Sequence, residues 1–188
     1  MPDSTLDLVA IPGSLRTGSL NRALARSLAK LCPDDATVDV VDLHDIPLYN
    51  GDLDTDERRP DPVRALKERI DRAHGVLLVS PEYNYGIPGV LKNAVDWVSR
   101  PSFRSPMAGK PSGLMGASPG GSGTMRGQEH LKLLLLAMGA QVFPHPGVAV
   151  GRARDKFDDG RLVHEDTRDF VAAYLRDFTE WARRVRPA

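Results

Sequence analysis

The chain has 188 residues and sets 25 Lys and Arg against 25 Asp and Glu; the length fits one domain over residues 1–188, and the balance gives no field to attract nucleic acid or an anionic membrane. Cys32 is the only cysteine, which excludes an internal disulfide and any cysteine-cluster metal site. Asp3 and Asp7 flank the start without the order of a signal peptide, and the apolar stretch 131–138 is too short to span a bilayer and contains Lys132, so a cytoplasmic protein off the membrane is expected.

In chain order, "LDLVAI" (6–11), "TVDVVDL" (37–43), "GVLLVS" (75–80) and "PSGLMGA" (111–117) predict strands, with a weak fifth in "AQVF" or "GVAV" between 140 and 150. Runs apolar on both faces suit a parallel sheet covered on both sides. Between them, Leu20, Leu24, Leu28 and Leu31 form a helical stripe. Asp61 then Pro62 predicts an N-cap followed by the first helical residue, with Val63, Leu66 and Ile70 behind it. A last helix from about Asp166 is expected to carry Phe170, Tyr174, Phe178, Trp181 and Val185 on one face. The Pro-, Asp- and Arg-rich segment 50–60 reads as a mobile loop. This alternation predicts a doubly wound α/β sandwich, whose ligands sit outside the carboxyl ends of the strands. Three loops there are unusual.

After the first strand, "GSLRTGSLNRALAR" offers Ser14, Ser19 and Asn21 around a helix N-terminus, where peptide N–H groups and the dipole favour an anion. Arg16 adds a permanently charged donor. Gly13 and Gly18 have the spacing of a nucleotide P-loop, but Ser19 and Leu20 replace its Lys and Ser/Thr. No G-x-G-x-x-G is present either, so a phosphate monoester fits best, and an ordinary capped polar loop is the alternative.

After the third strand, "SPEYNYGIPGVLKNAVDW" places Pro81 and Pro88 at the ends of a loop, with Gly86 expected to take a left-handed or close-approach conformation. Tyr83 and Tyr85 can stack on or wall off a flat ring. The alternative is that both tyrosines are packing residues and that Glu82 merely lies near a helix N-terminus.

After the fourth strand, "GASPGGSGTMRGQEHLKLLLL" contains Gly116, Ser118 and Gly120 in the G-x-S-x-G pattern of a hydrolase elbow. Pro119 lacks the N–H that such an oxyanion hole needs. His130, His145 and His164 have no triad setting, and the five histidines have no metal-ligand spacing. Gly120, Gly121 and Gly123 instead read as close backbone approach beside a ring. Arg152, Arg154 and Lys156 could meet a phosphorylated dinucleotide or simply form a solvated run.

"GSLRTGSLNRALA" followed by "PEYNYGIPGVLKNAVDW" resembles the NADPH-dependent FMN reductase family, which includes quinone, chromate and azo reductases. The resemblance runs from the first strand to the final helix. It implies a flavodoxin-like fold with a five-stranded parallel sheet in the order 2-1-3-4-5, one FMN per subunit, and a homodimer or homotetramer. By analogy Ser14, Arg16, Ser19, Leu20 and Asn21 would surround the FMN phosphate, and Pro81, Glu82, Tyr83, Asn84, Tyr85 and Gly86 would line its ring beside Ser118, Gly120 and Gly121. The family often has a shorter Gly-Gly segment leading to an Arg where this chain reads "GGSGTMR", which leaves the role of Arg126 open. The implied activity is NAD(P)H oxidation through FMN toward a small acceptor such as a quinone, flavin, azo compound or chromate. No catalytic acid, base, nucleophile or metal is expected, because the cofactor carries the chemistry. The rivals are a flavodoxin-type electron carrier, against which the balanced charge argues, and a flavodoxin-like module with an empty site.

Overall fold

Four apolar runs become parallel strands of one sheet: β1 (Leu6–Pro12), β2 (Ala36–Val40), β3 (Gly75–Val79) and β4 (Pro111–Ala117). The computed structural model describes residues 5–102 and 104–186, so Asp3 lies outside the described residues. The helices between and after the strands are α1 (Leu20–Leu31), α2 (Asp61–Arg72), α3 (Gly89–Val98), α4 (Met125–Ala137) and α5 (Glu165–Val185). With β5 at Gln141–Val142, the strand order is β2-β1-β3-β4-β5, the flavodoxin-like order expected from the sequence. The winding reverses between β1 and β3, which opens a crevice at their carboxyl ends.

The sheet divides two cores. Leu8, Leu77 and Met115 point to one face, where Leu24 and Leu28 of α1 and Val171, Tyr174 and Phe178 of α5 cover them. Their neighbours Val9, Leu78 and Leu114 point to the other, under Leu66 and Ile70 of α2, Leu91 of α3 and Leu131 and Leu135 of α4. That alternation is the two-residue side-chain period of a strand.

Both candidates for the fifth strand pair with β4. β5 (Gln141–Val142) lies along Pro111 and Ser112, and β6 (Val148–Val150) along Met115 to Ala117. Pro144 and Pro146 interrupt the edge between them, since proline brings no N–H to a ladder. The unpaired Leu114 N–H in the gap donates instead to Tyr174 Oη at 2.9 Å. Burial raises the Tyr174 hydroxyl above its usual range, so it stays neutral.

Several local expectations change. β2 ends at Val40; Val41 still donates to Ala10 O, but Val41 and Leu43 turn down into the α2–α4 core. The N-cap of α2 is Pro60, with no side-chain cap, and Asp61 is the first helical residue. Phe170 is 47 % exposed, because the buried row of α5 runs through Thr167, Val171, Tyr174, Phe178 and Ala182. The segment 50–60 is pinned: Gly51–Leu53 forms a 3-10 turn, and the buried Asp54 carboxylate pairs with Arg59 at 2.8 Å and with Lys67 of α2 at 3.6 Å. A hairpin also appears, β7 (Phe157–Asp158) with β8 (Arg161–Leu162), turning on Asp159 and Gly160, both at positive φ.

Candidate functional site

The loop leaving β1 is set by its first and last residues. Gly13 donates to Val79 O at 2.9 Å, and a Cβ there would stand 3.0 Å from Leu91. Ser19 is the N-cap of α1, its Oγ accepting from Arg22 N–H at 3.3 Å. Among the described residues, the N–H groups of Leu20 and Asn21 have no acceptor, so two donors and the positive end of the helix face the crevice. Asn21 is committed elsewhere through its side chain: Nδ2 donates to Ala117 O and Oδ1 accepts from Ala117 N–H, at 2.9 and 2.8 Å. It clamps the end of β4 to α1. Arg22 is engaged by Asp42 at 2.7 Å, whereas Arg16 Nη2 donates only to Gly18 O, at 3.2 Å, and has no carboxylate partner among the described residues.

The loop after β3 is a tight turn. Tyr83 and Gly86 exchange backbone hydrogen bonds of 3.1 and 2.9 Å around Asn84 (φ 50°) and Tyr85 (φ 65°). The left-handed residues are therefore Asn84 and Tyr85, not Gly86. A Cβ on Gly86 would meet only ordinary contacts at 3.8 Å or more. Positive φ is rare for a residue as bulky as tyrosine. The Tyr85 ring lies under the Arg126 guanidinium, 4.2 Å from its centroid. Arg126 in turn pairs with Glu82 at 3.1 Å. Glu82 Oε2 accepts the N–H groups of Arg126 and Gly127 at 3.0 and 3.1 Å, so this carboxylate, 10 % exposed, caps α4 from the neighbouring loop.

The loop after β4 is held by the strand beyond it. Ser118 donates to Val150 O at 2.9 Å, and its Oγ accepts from Gly120 N–H at 3.1 Å. Gly123 at φ 64° lies against Ala149, where a Cβ would come within 2.9 Å of the backbone; that position requires glycine.

These elements enclose one cleft of about 300 Å³. Ser14, Arg16, Ser19, Leu20 and Asn21 line it from the first loop, Pro81, Glu82 and Tyr83 from the second, and Ser118 from the third. Asn84, Tyr85, Gly86, Gly120 and Gly121 do not line it. Tyr83 and Tyr85 are both substantially exposed. The Gly120 and Gly121 carbonyls approach the 151–152 segment instead, with Arg152 N–H donating to Gly120 O at 2.9 Å. Gly18, Ala117 and Pro119, which the sequence did not mark as binding residues, complete the lining with Arg154, which it marked only as a possible contact for a phosphorylated dinucleotide. None of the histidines lines it, and no group of three or more His, Cys, Asp or Glu among the described residues could hold a metal ion.

The profile of the NADPH-dependent FMN reductases matches residues 6–155. The chain belongs to that family. Proteins similar to it include a 2-hydroxy-1,4-benzoquinone reductase from a Burkholderia species, 39 % identical over 95 % of this chain and 97 % of the relative. A quinone reductase of Escherichia coli strain K12 is 40 % identical over 96 % of this chain and 97 % of its own. Among solved structures, the flavoenzyme NAD(P)H:(acceptor) oxidoreductase FerB of Paracoccus denitrificans superposes with a TM-score of 0.87 at 33 % identity, covering 96 % of this chain and 98 % of FerB. The cleft fits the FMN that the family is named for. Two unpartnered peptide donors, an unpaired guanidinium and two serines suit a phosphate monoester, and the cleft extends from them to Pro81, Glu82 and Tyr83, where a flat ring can lie.

Proposed function

We propose that this protein is an FMN-dependent NAD(P)H oxidoreductase that passes electrons to a small acceptor of the quinone type, working as a homodimer or a pair of dimers in the cytoplasm. The observation that carries the reading is the pair of free N–H groups at Leu20 and Asn21 beside Arg16, at the switch point of a flavodoxin-like sheet. Bound FMN supplies the two-electron chemistry, accepting from NAD(P)H and giving to the acceptor.

The chain's own residues bind and orient. Ser14, Arg16, Ser19 and the N–H groups of Leu20 and Asn21 would hold the phosphate; Pro81, Glu82, Tyr83 and Ser118 would border the ring. Glu82 keeps the second loop docked on α4, so the ring's surroundings are preorganised. Among the described residues, no side chain lining the cleft has a histidine beside it to act as a base for a nucleophile. Cys32 lies at the far end of α1, and burial, with Asp35 adding to it, pushes its thiol up to about 11. The neutral overall charge disfavours a carrier that docks on charged protein partners.

Because one open cleft serves, donor and acceptor should use it in turn. Varying NADPH against a benzoquinone should give parallel double-reciprocal lines, with inhibition by excess quinone. Intersecting lines with demonstrated simultaneous binding would contradict a single shared site.

A further inference from the structure

Arg152, Arg154 and Lys156 are alike in sequence, but the fold separates them. Only Arg154 lines the cleft, together with Arg16, Gly18 and Ser19. We propose that Arg154 is a second phosphate-binding cation of this site, acting with Arg16 on the FMN 5′-phosphate; the inference rests on the FMN reading above.

Its position is built, not incidental. Asn21, in the first turn of α1, is bonded to both backbone groups of Ala117. The next residue, Ser118, donates to Val150 O and accepts from Ala153 N–H, each within 3.0 Å. Ala153 is fully buried, and Arg154 follows it. The path from the free helix end to Arg154 is thus a short chain of fixed backbone. The approach to Arg154 is equally constrained. Gly151 leaves no room for a Cβ, which would fall 2.4 Å from Gly121 O. Arg152 takes the left-handed conformation, φ 48°, turning the chain into the 3-10 turn Ala153–Lys156.

Charge gives the placement its meaning. Among the described residues neither Arg16 nor Arg154 has a carboxylate within 4.0 Å. The one acidic residue lining the cleft, Glu82, is occupied by Arg126 and the N-terminus of α4. The cleft therefore holds two unpaired guanidiniums and no free carboxylate. A phosphate monoester carries up to about −2, while a helix end offers roughly +0.5, so one arginine falls short of neutralising it. A second guanidinium supplies the difference and adds planar donors.

The test is titration of apo wild type, Arg154→Ala, Arg154→Lys and Lys156→Ala with FMN and with riboflavin, which lacks the phosphate, followed by flavin fluorescence. Wild type should prefer FMN; equal affinity for the two would defeat the FMN-phosphate reading itself, independently of Arg154. Given that preference, Arg154→Ala should weaken FMN by about ten- to hundred-fold and leave riboflavin unchanged. Arg154→Lys should recover part of the loss, and Lys156→Ala should match wild type. Three results would overturn the proposal: FMN affinity of Arg154→Ala within twofold of wild type, equal weakening of FMN and riboflavin, or an effect confined to the KM for NADPH. If Arg154→Ala does not fold, Arg154→Lys decides by the same comparison, with full FMN affinity in Arg154→Gln as the contradicting result.

Discussion

Arg16 and Lys30 differ by where they sit against one helix. Arg16 is in the loop that feeds its N-terminus and lines the cleft, while Lys30 is in the last turn of α1, outside it. Arg16→Ala should therefore weaken FMN binding by about ten- to hundred-fold, the cost of a lost contact to a charged group of about 1.5–3 kcal/mol, and Lys30→Ala should change it little. Equal dissociation constants in the two apo-variants would remove Arg16 from the site. At this scale the sequence was informative wherever chemistry and locality coincide. Ser14, Arg16, Ser19 and the peptide groups of 20 and 21 lie in one continuous stretch, so their convergence could be read directly. Arg154 is more than 130 residues away from them, and only the pairing of β6 with β4 brings it back. Tyr85, expected beside the ring, does not line the cleft, and its left-handed conformation was not legible, because glycine at 86 is the ordinary carrier of positive φ.

Elements were legible where apolar periodicity was strong. The four main strands and the stripes of α1 and α2 follow from it; the end of β2 does not, since Val41 and Leu43 remain apolar after they leave the ladder to enter the core. The fifth position was ambiguous for a physical reason, being two short pieces divided by prolines. Tyr174 closes that gap from α5 by accepting the Leu114 N–H, a role invisible to any local pattern. Tyr174→Phe keeps the ring packing and strips a buried donor of its partner, so it should destabilise the protein by about 1–3 kcal/mol in urea unfolding. The amide of Leu114 should exchange faster in native-state hydrogen exchange. Unchanged stability and protection would mean that the hydroxyl is dispensable there. The anchored 50–60 segment teaches the converse: Pro, Asp and Arg composition read as mobile, yet Asp54 is buried between Arg59 and Lys67.

For the whole molecule, the feature left open is α4. Leu131 and Leu135 face the core, but Leu133 and Leu136 are 67 % and 61 % exposed on the same helix. Isolated exposed leucines are common, whereas two within the apolar run 133–137 of α4 fit a covered face. Wild type should give at least a dimer mass by light scattering at micromolar concentration, and the Leu133→Lys, Leu136→Lys double variant should give a monomer. A monomeric wild type would contradict the dimer. A cleft that holds FMN for oxidation of NAD(P)H and reduction of a small acceptor should show it in the flavin spectrum. Anaerobic titration of the FMN-loaded protein, followed by its visible absorption, tests this directly. One equivalent of NADPH per chain should remove the yellow band, and one equivalent of benzoquinone should restore it. A band that persists through excess NADPH, or FMN that passes freely through a desalting column away from the protein, would contradict the account.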